Sequence, residues 1–141
     1  MLRNIPTNIP SDLLKVLMDM GHGDELVIAD ANYPAFAYPS IVIDCTGQDI
    51  PKLLESILSL MPLDPYVEKP TTFMAVLPND PYVPEVWDTY REIGNKYEKE
   101  GLREVAINKF DFYDQSKKAY AVVKTSEKSL YANLIIKKGV L

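Results

Sequence analysis

Apolar residues first fall at helical spacing after Pro10-Ser11-Asp12, at Leu13, Leu14, Leu17 and Met20, and Gly21 stands where a helix-terminating glycine belongs. The pattern predicts a first helix ending at the turn Gly21-His22-Gly23. Leu26-Val27-Ile28-Ala29 is instead an unbroken apolar run between charges, which reads as a buried strand ending on Asp30. Ser40 to Asp44 reads as a second strand. Asp49, with Pro51 just inside, opens a helix that puts Leu53, Leu54, Ile57, Leu58 and Met61 on one face.

Pro62, Pro65 and Pro70 predict an extended loop, followed by a strand over Thr72 to Leu77. Pro84 to Glu100 reads as a polar amphipathic helix containing Trp87, and Glu104 to Ile107 as a strand that delivers Asn108-Lys109. A short helix from Asp111 to Lys117, a strand from Ala119 to Lys124, a turn at Tyr131-Ala132-Asn133 and a strand from Leu134 to Lys137 complete the order. Strands alternating with helices predict an α/β fold, one layered domain over residues 1–141 with a mixed, largely parallel sheet flanked by helices. Ligands of such sheets collect outside the carboxyl ends of the strands. Asp30 and Asn108-Lys109 both fall at predicted strand ends, so a shared polar site is expected there.

Composition narrows the function classes. The chain is 47% hydrophobic, enough for a core, and its net charge of −5 disfavours a partner recognised through phosphates. Nucleic acid is therefore an unexpected partner. The charge is uneven: residues up to Asn95 carry 5 basic and 14 acidic side chains, and those from Lys96 onward 10 basic and 6 acidic. Solvated faces are the favoured explanation, ahead of complementary surfaces meeting between subunits. The single cysteine, Cys45, has no intrachain partner, and neither a signal peptide nor a membrane span is evident, so the cytoplasm is the expected location. No low-complexity tract or internal repeat stands out.

One histidine and one cysteine are too few for a structural zinc site, and no His/Cys/carboxylate cluster has ligand spacing. Gly21-x-Gly23 lacks the third glycine of a dinucleotide fingerprint and follows a helix, and there is no Walker-type or Gly-x-Ser-x-Gly word. No metal, nucleotide cofactor or covalent nucleophile is expected. What remains is His22 in a glycine-flanked turn. An imidazole titrates near pH ~6.5 and suits proton shuttling. On composition alone the plainer reading, an exposed histidine after a helix cap with Gly23 only a turn residue, stands slightly ahead.

The words Gly21-His22-Gly23-Asp24-Glu25 and Asp30-Ala31-Asn32-Tyr33-Pro34 are followed by Lys109-Phe110-x-Phe112-Tyr113 and by Tyr131-Ala132-Asn133-Leu134-Ile135-Ile136-Lys137-Lys138-Gly139-Val140. In order and spacing they make the chain similar to the fucose mutarotase/ribose pyranase family over nearly its whole length. The resemblance implies a cofactor-independent isomerase that interconverts the anomers of a reducing monosaccharide, L-fucose first, with His22 as the catalytic acid/base. It implies Asp30, Lys109, Tyr131 and Asn133 as sugar-binding residues, with Tyr113 a further candidate. It also implies a homo-oligomeric ring, typically a decamer, with sites at subunit contacts. Two positions depart from the fucose-type pattern: Lys109 replaces an arginine, giving a point charge where a planar fork is usual, and Ala132 replaces a glycine. The alternatives are ribose pyranase-like interconversion, a non-catalytic sugar-binding protein and a structural ring protein.

Overall fold

A computed structural model describes residues 1–38 and 41–141. The elements in chain order are α1 (Ser11–Asp19), β1 (Glu25–Ala29), β2 (Ile41–Cys45), α2 (Ile50–Leu58), β3 (Thr71–Met74), α3 (Glu85–Tyr97), β4 (Glu104–Ile107), α4 (Lys109–Lys117), β5 (Ala121–Thr125) and β6 (Leu134–Lys137). Of the predicted second strand, Ser40 lies outside the described residues.

The six strands form one sheet in the order β2-β5-β1-β6-β3-β4. β1 and β2 pair parallel with β5, β3 pairs parallel with β4, and β6 runs antiparallel to both β1 and β3. Five strands thus point one way and β6 alone points back. Alternation along β1 sends Leu26 and Ile28 to one face and Val27 and Ala29 to the other, and all four are buried. The first face packs on Leu13 and Leu17 of α1, Leu53, Leu54 and Ile57 of α2 and Tyr90 of α3. The second face packs on Phe112 of α4 and on Tyr33. Helices on both faces explain why β1 reads as continuously apolar.

Several boundaries differ from the sequence pattern, each for a local reason. α1 ends two residues before Gly21: Met20 is already extended, and its carbonyl and that of Leu17 accept from the Lys138 ammonium rather than from a glycine cap. The positive φ in the following turn belongs to Gly23, at 87°. β3 stops at Met74, and Ala75 to Leu77 leave the sheet for a loop. α3 is shorter than Pro84–Glu100 because Glu98 is extended and Gly101 adopts φ 69°. α4 starts two residues earlier than expected, at Lys109, because the Asn108 side chain accepts from the Asp111 backbone N–H at 3.0 Å and caps the helix. β5 starts at Ala121 instead of Ala119 and runs to Thr125.

Candidate functional site

Because five strands run in one direction, the carboxyl ends of β1, β3 and β4 lie along one edge of the sheet. The amino end of the reversed β6 reaches the same edge. These ends carry Asp30, Ala75, Asn108-Lys109 and Asn133 respectively, and a cavity of about 310 Å3 opens there. It is lined by Asp30, Lys109, Tyr113, Tyr131 and Asn133, all five of the sequence-derived binding candidates, together with Asn32, Tyr33, Asp80 and a few apolar side chains.

Asp30 anchors this cavity. Its backbone N–H donates to Asn133 Oδ1 at 2.7 Å, which joins the end of β1 to the start of β6. Its carboxylate accepts from the Asn32 N–H at 3.0 Å, folding the chain back over the strand end. The residue is buried, and burial pushes its carboxyl above the ordinary aspartate range, partly offset by the N–H groups of Asn32 and Tyr33. A buried carboxylate with one strong local donor and free acceptor capacity suits the hydroxyls of a polyol.

The aromatic wall is built by long-range ties. Tyr33 donates to Ser116 Oγ at 2.6 Å, Ser116 donates to the Tyr113 carbonyl at 2.8 Å, and the rings of Tyr33 and Tyr113 lie 5.8 Å apart. Burial, with the charge of Asp30 near it, pushes the Tyr113 phenol up. It therefore stays protonated and can donate to a ligand oxygen. The Lys109 ammonium lies 5.8 Å from the centre of the Tyr113 ring and is otherwise exposed. Tyr131 adopts φ 56°, held by Trp87, whose indole N–H donates to the Tyr131 carbonyl at 2.8 Å, and by Tyr90, whose hydroxyl donates to the next carbonyl at 2.7 Å. The left-handed position is thus Tyr131, and Ala132 is not strained by replacing a glycine.

His22 stands elsewhere. It precedes β1, whereas Asp30 follows it, and five strand residues at about 3.3 Å each put roughly 17 Å between the two ends. His22 does not line the Asp30 cavity. Its Nε2 lies 3.0 Å from Oδ1 of Asp64, a buried residue, while the imidazole remains 44% exposed. The ring also meets Tyr66 at 5.4 Å between centroids. An ionised carboxylate can only accept, so the shared proton sits on Nε2 and leaves Nδ1 free. Burial alone would raise the Asp64 carboxyl, but hydrogen bonds from the Tyr66 N–H and from His22 outweigh it and hold it below the usual range.

Asp64 and Asp80 carry contacts that periodicity does not reveal. The signal that marks them is a repeated word too short to register as an internal repeat: Asp64-Pro65-Tyr66-Val67 and Asp80-Pro81-Tyr82-Val83. Among the described residues no group of three or more His, Cys, Asp or Glu side chains is placed to hold a metal ion.

Residues 3–141 match the RbsD / FucU transport protein family. The chain belongs to this family. Within it, the chain is 44% identical over 140 residues to an L-fucose mutarotase of Actinobacillus pleuropneumoniae, covering 99% of this chain and 97% of the relative. The structure of the Streptococcus pneumoniae fucose mutarotase in complex with L-fucose superposes with a TM-score of 0.95 at 51% identity, covering 99% of each chain. The Bacillus subtilis RbsD complexed with D-ribose is more distant, with a TM-score of 0.74 at 25% identity over 100% of this chain and 99% of that one. The family fold agrees with the mixed α/β sheet described above.

Proposed function

We propose that this chain is an L-fucose mutarotase, an isomerase that interconverts the α and β anomers of the sugar. The observation that carries this reading is the full-length likeness to a mutarotase caught with L-fucose. The chemistry of the Asp30 cavity supports it, since a buried carboxylate, an amide, an ammonium and phenols are what sugar hydroxyls need. The weaker likeness to the D-ribose-bound relative favours the fucose branch. The catalytic unit is taken as residues 1–141. No helix among the described residues is long and apolar enough to cross a membrane, and the cytoplasm is the proposed location.

Mutarotation breaks the bond between the anomeric carbon and the ring oxygen, then remakes it on the other face of the carbonyl. A proton must reach the ring oxygen as one leaves the anomeric hydroxyl. In the proposed mechanism His22, protonated on both nitrogens, gives its Nδ1 proton to the ring oxygen and recovers it on closure. A water, or a tyrosine hydroxyl that passes its own proton on as it accepts, takes the proton of the anomeric hydroxyl and returns it to the carbonyl oxygen on closure. Asp30 and Asn133 hold the hydroxyls, with Lys109 and Tyr131 closing on the sugar and Tyr113 beside them. Such proton transfer contributes about 100- to 10,000-fold.

One monosaccharide does not span the length of β1, so His22 and Asp30 of the same chain do not serve the same sugar. The proposed site therefore combines the Asp30 cavity of one subunit with His22 of a neighbour, in a ring of which the decamer is the expected size. Exposed apolar side chains favour contact at both places: Leu77, Leu130 and Phe110 near the cavity, Tyr66 beside His22.

Two-dimensional NMR exchange between the α and β anomers of L-fucose, with D-ribose alongside, tests this reading. Faster exchange of L-fucose in the presence of protein is expected, and His22→Ala should abolish it while the protein still assembles. Unchanged exchange for both sugars would reject the enzyme and leave a sugar-binding protein.

A further inference from the structure

The two Asp-Pro-Tyr-Val words do the same thing in two places. In each, proline fixes its own φ and restricts the residue before it to extended backbone, so the aspartate side chain turns back over the word. Asp64 Oδ1 accepts from the Tyr66 N–H at 3.0 Å, and Asp80 Oδ1 accepts from the Tyr82 N–H at 2.9 Å. The same carboxylate then takes a second, distant donor. For Asp64 this is His22 Nε2 at 3.0 Å, and for Asp80 it is the Tyr131 hydroxyl, which donates to Oδ2 at 2.6 Å. The tyrosine of each word lies against the ring its aspartate holds. Tyr66 is 5.4 Å from His22 between centroids, and Tyr82 stacks on Tyr131 at 5.9 Å.

The mounting of the first word is unusually firm for a loop. The Asp64 N–H donates to the Lys137 carbonyl at 3.0 Å, and the Gly139 N–H to the Pro62 carbonyl at 2.8 Å. Arg103, in a left-handed conformation at φ 51°, donates to the carbonyls of Asp64 and Val67 at 2.9 and 2.8 Å. The His22 turn hangs on the same continuation of β6, since the Gly23 N–H donates to the Lys138 carbonyl and the Lys138 N–H to the Asp24 carbonyl, both at 2.9 Å. One short segment, Lys137-Lys138-Gly139, therefore sets the distance between His22 and Asp64. Any β-carbon at Gly139 would lie 2.9 Å from the Asp64 Cα and closer still to the Leu63 carbonyl oxygen.

We propose that Asp64 and Asp80 are paired positioning residues of the sugar site, Asp64 fixing the orientation and proton inventory of His22 and Asp80 fixing the ring of Tyr131. The assignment rests on the mutarotase reading, in which His22 acts on the ring oxygen and Tyr131 touches the sugar. Asp64 keeps a proton on Nε2 in every protonation state, so Nδ1 is the nitrogen that gives and recovers the catalytic proton. When Nδ1 is protonated, the carboxylate faces the full positive charge of the ring; when the proton has gone to the sugar, the Nε2 hydrogen bond remains. Asp80 instead holds a binding wall that is the same before and during ring opening.

The two roles separate kinetically, which a merely structural role would not produce. Asp64→Ala is expected to lower kcat by about 10-fold or more, within the range that a positioned acid/base contributes, with KM changed less than about twofold. Asp80→Ala is expected to raise KM by about fivefold or more with kcat changed less than about twofold, because the interaction lost is shared by ground and transition states. His22 is the only histidine in the chain, so its ring nitrogens give unambiguous NMR signals. In the wild type the Nε2–H proton should be shifted downfield by the carboxylate, and in Asp64→Asn, which keeps an acceptor but not the charge, it should move back upfield. Wild-type kcat in Asp64→Ala together with an unmoved ring signal in Asp64→Asn would overturn the assignment for His22. Equal losses in kcat and KM for both alanine variants would overturn the division of roles. Absence of anomer exchange in the wild type is a different failure, that of the mutarotase reading; the ring signal of Asp64→Asn then still decides whether Asp64 holds His22.

Discussion

At the residue scale, Asp30 is a cavity-lining carboxylate held against the preference of the fold. Its carboxyl is raised by burial, which means that the ionised form is less comfortable in the folded chain than in the unfolded one. The sign follows from linkage: a folded-state pKa above the unfolded value near 3.9 gives a contribution present below that value and lost as pH rises through the folded pKa. At neutral pH the ionised Asp30 therefore subtracts from stability. Asp30→Asn keeps an oxygen to accept from the Asn32 N–H and removes the charge. The expected outcome is a thermal midpoint at pH 7 equal to or above that of the wild type, with the advantage shrinking as the pH falls toward about 4, and a loss of L-fucose binding by titration calorimetry. A lower midpoint at pH 7 would contradict the burial argument.

At the element scale, the site depends on where strands stop and helices start. Lys109 is the first residue of α4, and its direction is set by the Asn108 cap. Asn108→Ala should lower stability by about 1 kcal/mol, the usual effect of losing a cap, and should also raise KM for L-fucose as the first turn frays. Denaturant unfolding and anomer exchange measured on the same variant check both. A loss of stability without any change in KM would detach Lys109 from the sugar. Legibility follows the same division. The apolar runs of β1, β4 and β6 announced those strands, and with them the strand ends that carry Asp30, Lys109 and Asn133. Asp64 and Asp80 were hidden because each acts across 42 and 51 residues of chain respectively, on His22 and Tyr131, from a proline-rich loop with no periodicity to read. The end of α1 is illegible for a related reason: the group that satisfies its last carbonyls is Lys138, at the far end of the sequence.

At the scale of the whole molecule, the sheet separates the two halves of the proposed chemistry. Reversing β6 alone puts Asn133 beside Asp30 at one edge and leads the chain's last residues back past His22 at the other. On the proposed reading, a chain so built carries half a site at each end. Closed rings use such heterologous surfaces repeatedly, each subunit offering one edge forward and the other back. On the proposed reading, the sequence word around His22 marks the residue for proton transfer, while the length of β1 assigns its sugar to another copy. The most direct test mixes subunits of His22→Ala and Asp30→Ala, each expected to be inactive alone, by unfolding and refolding them together in equal amounts. If every site takes His22 from one chain and Asp30 from the next, about a quarter of the sites in the mixed rings are intact, and anomer exchange of L-fucose recovers to about a quarter of the wild-type rate. Mixed rings, verified by mass, that remain without activity would contradict the shared site.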